Sequence, residues 1–202
     1  VGPVPQDGLL DGDMYHVDAP SGFEHISDKT LALMSLAAHF DFRFLAKTDS
    51  DTFPCLRRLA TAVEAAAPPA KQPRLYAGLL NRCGTVFAKG KRLHDAPFVE
   101  ATGGVLSCHP MYHQGAFYVL GRGLVEHLYR SRNDLQLMFN EDAMVGLWLL
   151  GVRRTIADIG GAFNCRCHNR PPDPEGTLPL PFYHSCKRPE QIQTCEDRLG
   201  LC

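Results

Sequence analysis

The chain has 202 residues, of which 45% are hydrophobic, and its 21 basic and 22 acidic side chains leave a net charge of −1. This length and hydrophobic content are typical of one globular domain rather than two. The charges form no basic run of the kind that binds nucleic acid or an anionic membrane surface. We therefore expect no nucleic-acid partner and no direct binding to a membrane surface.

The first part of the chain predicts one β-α-β unit. A short strand is expected over 12–17, and Ser21-Gly-Phe-Glu24 has the form of a capping box at the start of a helix. Apolar residues then recur at helical spacing over Ile26–Phe40. An apolar strand over Phe42–Ala46 follows and leads into two acids, which would lie at its carboxyl end.

The following hundred or so residues alternate between helical and strand patterns, which predicts an α/β domain. Pro54 is expected to open a helix that Pro68 and Pro69 end, because proline fits the first helical turn and interrupts a helix elsewhere. Asn140 would cap a later helix that Gly151 ends. The expected elements are a helix over 54–67, a strand over 74–80, a hairpin or two irregular edge strands over 86–99, a strand over 115–120, helices over 124–131 and 140–150, and a strand over 152–156.

The C-terminal part differs in composition from the rest of the chain. From Asn164 onward proline, cysteine and polar residues dominate, so we expect a core over 1–163 and a loop-rich extension over 164–202 packed on it. No stretch is apolar and long enough to span a membrane, and the chain opens with Val1 rather than methionine. We expect a piece of a longer product whose targeting segment lies upstream.

The cysteine content indicates the compartment. Eight cysteines are many for a cytosolic protein and favour disulfides formed in the secretory pathway or outside the cell. A zinc site is the alternative, since thiolates and imidazoles form tetrahedral sites, although the C-x-C and H-x-C spacings differ from the usual C-x₂-C pairs. The residues concerned are Cys165, Cys167, His168, His184, Cys186, Cys195 and Cys202.

Asp49-Ser-Asp51 is the first candidate site. Carboxyl ends of strands are where α/β sheets bind ligands, and two carboxylates one residue apart offer the oxygen ligands that Mg²⁺ and Mn²⁺ prefer. The alternative is an ordinary turn that caps the helix opened by Pro54. An EF-hand is excluded, because Phe53 and Pro54 stand where that loop needs another ligand and a glycine.

Other candidate residues follow later in the chain. Glu141 and Asp142 open an apolar helix, where they either complement the helix dipole or supply a general base. His184 is a candidate third metal ligand or a structural histidine. The strand beginning at Tyr112 is either a core strand with a bulge at Gly115 or a place where a flat ligand meets the backbone.

Four segments keep the order and spacing of one enzyme family: Asp13–Lys29, Phe44–Phe53, His109–Leu120 and Asn140–Gly146. Together they resemble the β-1,3-galactosyltransferase-like glycosyltransferases of carbohydrate-enzyme family 31. The resemblance implies a GT-A-type mixed sheet flanked by helices. Because only 48 residues precede Asp49, the opening nucleotide-binding strands of that fold are expected to be missing.

The resemblance also implies an activity. A sugar, galactose or an N-acetylhexosamine, would pass with inversion from a UDP-sugar donor to a hydroxyl of an acceptor glycan or glycoprotein. Asp51, Asp49 and His184 would hold Mn²⁺ or Mg²⁺, and Asp142 of the Glu141-Asp142 motif would be the catalytic base. The positions assigned to substrate binding are Lys29, Lys47, Tyr112, Gly115 and Ala116.

Such enzymes imply a Golgi lumen location in a type II membrane protein, whose anchor would lie upstream of this chain. The acid cluster here reads Asp-Ser-Asp, where the family commonly has three acids in a row. Two alternatives therefore stay open. One is a catalytically inactive relative that binds carbohydrate or assists assembly, and the other is a secreted cysteine-rich module that binds zinc.

Overall fold

The computed structural model describes residues 8–11, 14–17, 19–160 and 182–199. Within them, the strands are β1 (Gly8–Asp11), β2 (Met14–Val17), β3 (Phe44–Thr48), β4 (Phe53–Pro54), β5 (Leu75–Asn81), β6 (Gly84–Thr85), β7 (Cys108–His109), β8 (Tyr112–Gly121), β9 (Thr155–Asp158) and β10 (Phe182–Tyr183). The helices are α1 (Ile26–Ala37), α2 (Leu56–Ala66), α3 (Ala96–Ala101), α4 (Arg122–Ser131), α5 (Glu141–Trp148) and α6 (Pro189–Leu199). Short 3₁₀ helices cover Phe23–His25, Pro69–Arg74 and Arg132–Asp134.

A mixed four-stranded sheet forms the centre of the molecule, in the order β3-β8-β5-β9. The long strand β8 runs antiparallel to both β3 and β5, while β9 runs parallel to β5. The pairing of β5 with β8 jumps from Gly78–Tyr118 to Leu80–His113, so β8 carries extra residues in a bulge around Gly115. The predicted α/β class is confirmed, and the bulge at Gly115 agrees with one of the two interpretations of this strand.

Helices cover both faces of this sheet. Side chains along β8 alternate in direction, so apolar residues point to both faces and each face packs against helices. Tyr118 and Leu120 pack with α1, α4 and α5 in one buried cluster. Phe117 and Val119 face the other side and pack against α2 in a second cluster. The result is a three-layer α/β arrangement with a core on each face of the sheet.

The predicted β-α-β unit is wrong. β2 pairs with β1 in a separate two-stranded ribbon, so β2 and β3 do not share a sheet. The capping box at Ser21–Glu24 is wrong as well, because Gly22 takes the N-cap position with a φ of 134° and a 3₁₀ turn precedes α1. No side chain caps either helix start.

Two predictions from proline and irregular patterns also fail. Pro54 does not open a helix: it pairs with Phe182 in β4–β10, and α2 begins two residues later after Cys55. Residues 86–99 form no edge strands, because Asp95 caps α3 through the backbone N–H of Phe98 and Pro97 fits the first helical turn.

The described residue Phe182 packs on the core. The Phe182 ring stacks on Phe117 at 5.0 Å between centroids, and the helix α6 was not predicted. The division at residue 163 stays a prediction, and Cys165, Cys167, His168 and Cys202 lie outside the described residues. None of the helices within the described ranges is long and apolar enough to cross a membrane.

A disulfide between Cys83 and Cys108 ties β6 to β7, as the cysteine content led us to expect. Cys55, Cys186 and Cys195 are also disulfide-bonded. Zinc was the alternative for the terminal cysteines, but His184 lies with aspartates rather than with thiolates among the described residues.

Candidate metal and catalytic site

Asp49, Asp51 and His184 come together beyond the carboxyl end of β3. One ligand atom from each of the three side chains lies within 4.8 Å of the others. The acids sit in a turn that the backbone closes, since the N–H of Thr52 donates to the carbonyl of Asp49 at 3.1 Å. The N–H of Asp49 donates to Ala116 on β8 at 3.3 Å, which fixes this turn against the sheet.

The short β4–β10 pairing brings His184 to the acids, although it follows Thr52 by 132 residues in sequence. Two residues further on, the N–H of Cys186 donates to the carbonyl of Asp51 at 2.9 Å. Thr52 Oγ1 donates to the carbonyl of Ala116 at 3.0 Å and lies 2.9 Å from His184 Nδ1. Thr52 thus orients the imidazole, as partners of metal-binding histidines commonly do.

The Asp51 carboxylate has a histidine and a lysine as neighbours. His184 Nδ1 lies 3.2 Å from one oxygen, and the ammonium of Lys187 donates to the other. Burial by itself raises the pKa of Asp51, but the hydrogen bond to Lys187 and the nearby His184 outweigh it and lower that pKa. The Asp51 side chain is therefore held as a carboxylate, the form that binds a cation.

Asp142 lies at the start of α5 against the bulge of β8. Its Oδ2 accepts the N–H of Gly115 at 2.9 Å, and its Oδ1 accepts the N–H of Ala143 at 2.8 Å. Burial raises the pKa of Asp142 above the ordinary value, against the opposing effect of these backbone hydrogen bonds. A fixed carboxylate with a raised pKa is suited to accept a proton.

Glu141 points into the protein instead and is only 6% exposed. Its Oε1 accepts the hydroxyl of Thr30 at 3.0 Å and that of Tyr118 at 2.7 Å. Its Oε2 lies 3.4 Å from the ammonium of Lys47. Burial raises the pKa of Glu141, although Lys47 and these hydrogen bonds oppose the shift.

Lys47 connects the two groups of acids. Its ammonium lies 2.6 Å from Asp49 Oδ1 and donates to the carbonyl of Gly115 at 2.7 Å, in addition to its contact with Glu141. Its side chain is 11% exposed, and burial lowers its pKa less than the charges of Glu141 and Asp49 raise it. Gly115 is thus contacted by Lys47 through its carbonyl and by Asp142 through its N–H.

The other residues assigned to substrate binding are buried or half-buried. Tyr112 is buried, and its hydroxyl accepts from the side-chain amide of Asn81 at 3.0 Å. Ala116 is buried and contributes its carbonyl to the turn of the acids. Lys29 is half-buried on α1, next to Thr30. A contact between any of these residues and a substrate stays a prediction.

Sequence reasoning missed the groups that hold the acids in place. Thr30 and Glu141 lie 111 residues apart, so no local pattern connects them. The register of β3 with β8 places Tyr118 opposite Lys47. The one sequence signal for this contact was the alternation of side-chain direction along β8. Lys187 carries no motif at all, and its contact with Asp51 is visible only in the fold.

The fold and these groups define a class: an α/β protein with an Asp-Asp-His cluster that could hold a metal ion beyond one strand, and a separate carboxylate at a helix N-terminus. Two carboxylates and an imidazole suit a hard or borderline divalent ion such as Mn²⁺. The family model described as galactosyltransferase matches residues 4–158. The chain belongs to this family of glycosyltransferases, and its mixed sheet flanked by helices is consistent with a GT-A-like fold.

Named relatives agree with the family. The chain is 32% identical to beta-1,3-galactosyltransferase 6 of Mus musculus over 131 residues, which are 64% of this chain and 38% of that protein. It is 27% identical to probable beta-1,3-galactosyltransferase 3 of Arabidopsis thaliana over 167 residues, which are 81% of this chain and 38% of that protein. The matches thus span about two fifths of the length of these relatives.

Proposed function

We propose that this chain carries the catalytic site of a metal-dependent, inverting galactosyltransferase that moves galactose from UDP-galactose to an acceptor hydroxyl. The observation that supports this most directly is the arrangement around Gly115. A cation-binding cluster lies on the Lys47 side of this residue, and the Asp142 carboxylate accepts its N–H. Family membership supports galactose as the transferred sugar.

The donor side of the site consists of Asp49, Asp51 and His184. Their oxygen and nitrogen donors fit Mn²⁺, which when bound supplies positive charge that neutralises the diphosphate leaving group. Lys187 must leave its carboxylate oxygen before that oxygen can serve as a ligand. The exposed position of the Lys187 side chain makes this exchange inexpensive.

The acceptor side consists of Asp142. Its carboxylate takes the proton of the acceptor hydroxyl while that oxygen forms a bond to the anomeric carbon of galactose. The bond between this carbon and the diphosphate oxygen breaks, and its electron pair leaves with UDP. Attack opposite the leaving group inverts the anomeric configuration, and positive charge develops on the sugar as in glycoside hydrolysis.

Glu141 and Lys47 hold the donor side and the acceptor side of the site in fixed positions relative to each other. Both are buried and paired, so in this proposal they position Asp142 and Asp49 rather than touch a substrate. The segment that follows residue 163 completes the site by supplying His184. We further propose a Golgi lumen location, to which the Cys83–Cys108 disulfide lends support.

A transfer assay tests the proposal. Purified chain is incubated with UDP-galactose, a panel of sugar acceptors with free hydroxyls, and either Mn²⁺ or EDTA, and the release of UDP and the galactosylated product are measured. We expect product only with Mn²⁺ and an acceptor, with an inverted anomeric configuration by NMR. Transfer that is unchanged in EDTA, or no product with any acceptor, would contradict the proposal.

A further inference from the structure

Asp95 is a buried carboxylate outside the groups described so far, and it is 1% exposed. One oxygen accepts the backbone N–H groups of Phe98 and Phe139, each at 3.1 Å. The other accepts the backbone N–H of Asn140 at 3.0 Å and its side-chain amide at 3.2 Å. Four N–H donors from two distant segments therefore meet on one side chain.

No cationic side chain within the described ranges pairs with Asp95. The ion pairs there involve other acids, so the negative charge of Asp95 is compensated by N–H groups and by the N-terminus of α3. Carboxylates that accept several backbone N–H groups are strongly bound to them, and a buried donor left without its acceptor is costly. The segment carrying Phe139 and Asn140 is therefore fixed by Asp95.

This attachment matters because α5 lacks the usual cap. The side chain of Asn140, its N-cap residue, makes no capping hydrogen bond and turns instead to Asp95 and to the carbonyl of Leu93. Asp142 follows only two residues later. The start of the helix that carries the proposed base is thus held from outside the helix.

We infer that Asp95 is a positioning residue that holds the Asp142 carboxylate in place by fixing Phe139 and Asn140. The inference rests on the proposed function. A carboxylate is required because both of its oxygens accept hydrogen bonds. Asparagine would turn its amide N–H₂ towards one of the two pairs of N–H donors.

Two amides report directly on the position of Asp142, whether or not the protein is active. The N–H groups of Gly115 and Ala143 donate to its two oxygens, so their ¹H–¹⁵N resonances depend on where the carboxylate lies. In Asp95→Asn we expect both resonances to shift. Asp41→Asn is the control, because the exposed Asp41 pairs with Arg122 at the end of β3 and β8 opposite to Gly115.

Unchanged Gly115 and Ala143 resonances in Asp95→Asn would overturn the inference. Hydrogen exchange in the wild-type protein tests it without any variant. One opening event with a single free energy should expose four amide hydrogens together, those of Phe139, Asn140, Gly115 and Ala143. Exchange of Phe139 and Asn140 through a separate opening event would also overturn the inference.

Kinetics separate this inference from the proposed function. If the wild-type chain transfers galactose, Asp95→Asn should lower kcat by about 100-fold, the size expected for a displaced catalytic group, with little change in the KM for UDP-galactose. A raised KM with unchanged kcat would contradict the positioning role. Absence of transfer by the wild-type chain would instead count against the proposed function, while the two reporter amides still test the contact.

Discussion

Replacement of Asp142 by asparagine separates binding from chemistry in the proposed site. The amide has nearly the shape of the carboxylate, and its oxygen can still accept one of the two N–H groups, from Gly115 or Ala143, that hold Asp142. The other N–H would face an amide N–H₂. The cost in stability should be about 1–3 kcal/mol, the usual cost of leaving a buried donor without its acceptor.

The cost in rate should be far larger because asparagine accepts no proton. General bases contribute about 100- to 10,000-fold, so kcat should fall by that factor, equivalent to roughly 3 to 5 kcal/mol in the barrier. In the wild-type protein kcat should fall as the pH drops through the pKa of the base. This fall in kcat is the acid limb of the pH–rate profile. Because burial raises the pKa of Asp142, the midpoint of the acid limb should lie above pH 3.8, the ordinary pKa of aspartate.

The assay compares Asp142→Asn with wild type and with Asp134→Asn, which changes an exposed acid in the 3₁₀ helix after α4. Steady-state transfer rates give kcat, and calorimetric titration with UDP and Mn²⁺ gives the donor-side affinity. We expect Asp142→Asn to lose transfer, and with it the fall in kcat at low pH, while its UDP affinity stays unchanged. Asp134→Asn should behave like wild type in both measurements. Equal loss of UDP binding and transfer, or a variant that retains kcat, would refute the role of Asp142 as base.

Three further changes test the packing, the disulfide and the cation-binding cluster. Gly146→Ala places a Cβ 2.4 Å from a buried tyrosine side chain, so urea unfolding should show a loss of about 1–3 kcal/mol, whereas Gly151→Ala meets nothing within 4 Å and should be nearly neutral. Cys83→Ser/Cys108→Ser opens a loop of sequence separation 25 and should cost about 3 kcal/mol in the same measurement, so an unchanged stability would contradict the role of this disulfide. Lys187→Gln removes the cation beside the metal ligands, so calorimetry should show Mn²⁺ binding about 2- to 5-fold tighter, and weaker binding would contradict the competition.

The sequence carried enough information for the sheet strands and for the acids beyond β3. Phe44–Thr48 and the apolar run in Tyr112–Gly121 are strands because their residues suit a buried sheet, and local pattern is sufficient for that. The position of Asp49 and Asp51 at a strand end followed from the same pattern. His184 was chosen from nine histidines only through the family resemblance, and the structure places it in the same cluster.

The failures arise where tertiary contacts outweigh local preference. Pro54 is a good helix opener by propensity, but its pairing with Phe182 extends the chain there. Asn140 is a good N-cap by type, but its amide is used by Asp95, 45 residues earlier. Such partners are far apart in sequence, so no window of residues predicts them.

The most direct test of the central claim is calorimetric titration of UDP into the wild-type chain and into Asp51→Asn, each with Mn²⁺ and again with EDTA. Asparagine has one carboxamide oxygen in place of the charged pair of oxygens, so it weakens the cluster while keeping its shape. The account predicts UDP binding by the wild-type chain only with Mn²⁺, and a loss of at least about 10-fold in affinity for Asp51→Asn. Equal UDP binding in EDTA, or by Asp51→Asn in Mn²⁺, would contradict a metal-dependent donor site at these residues.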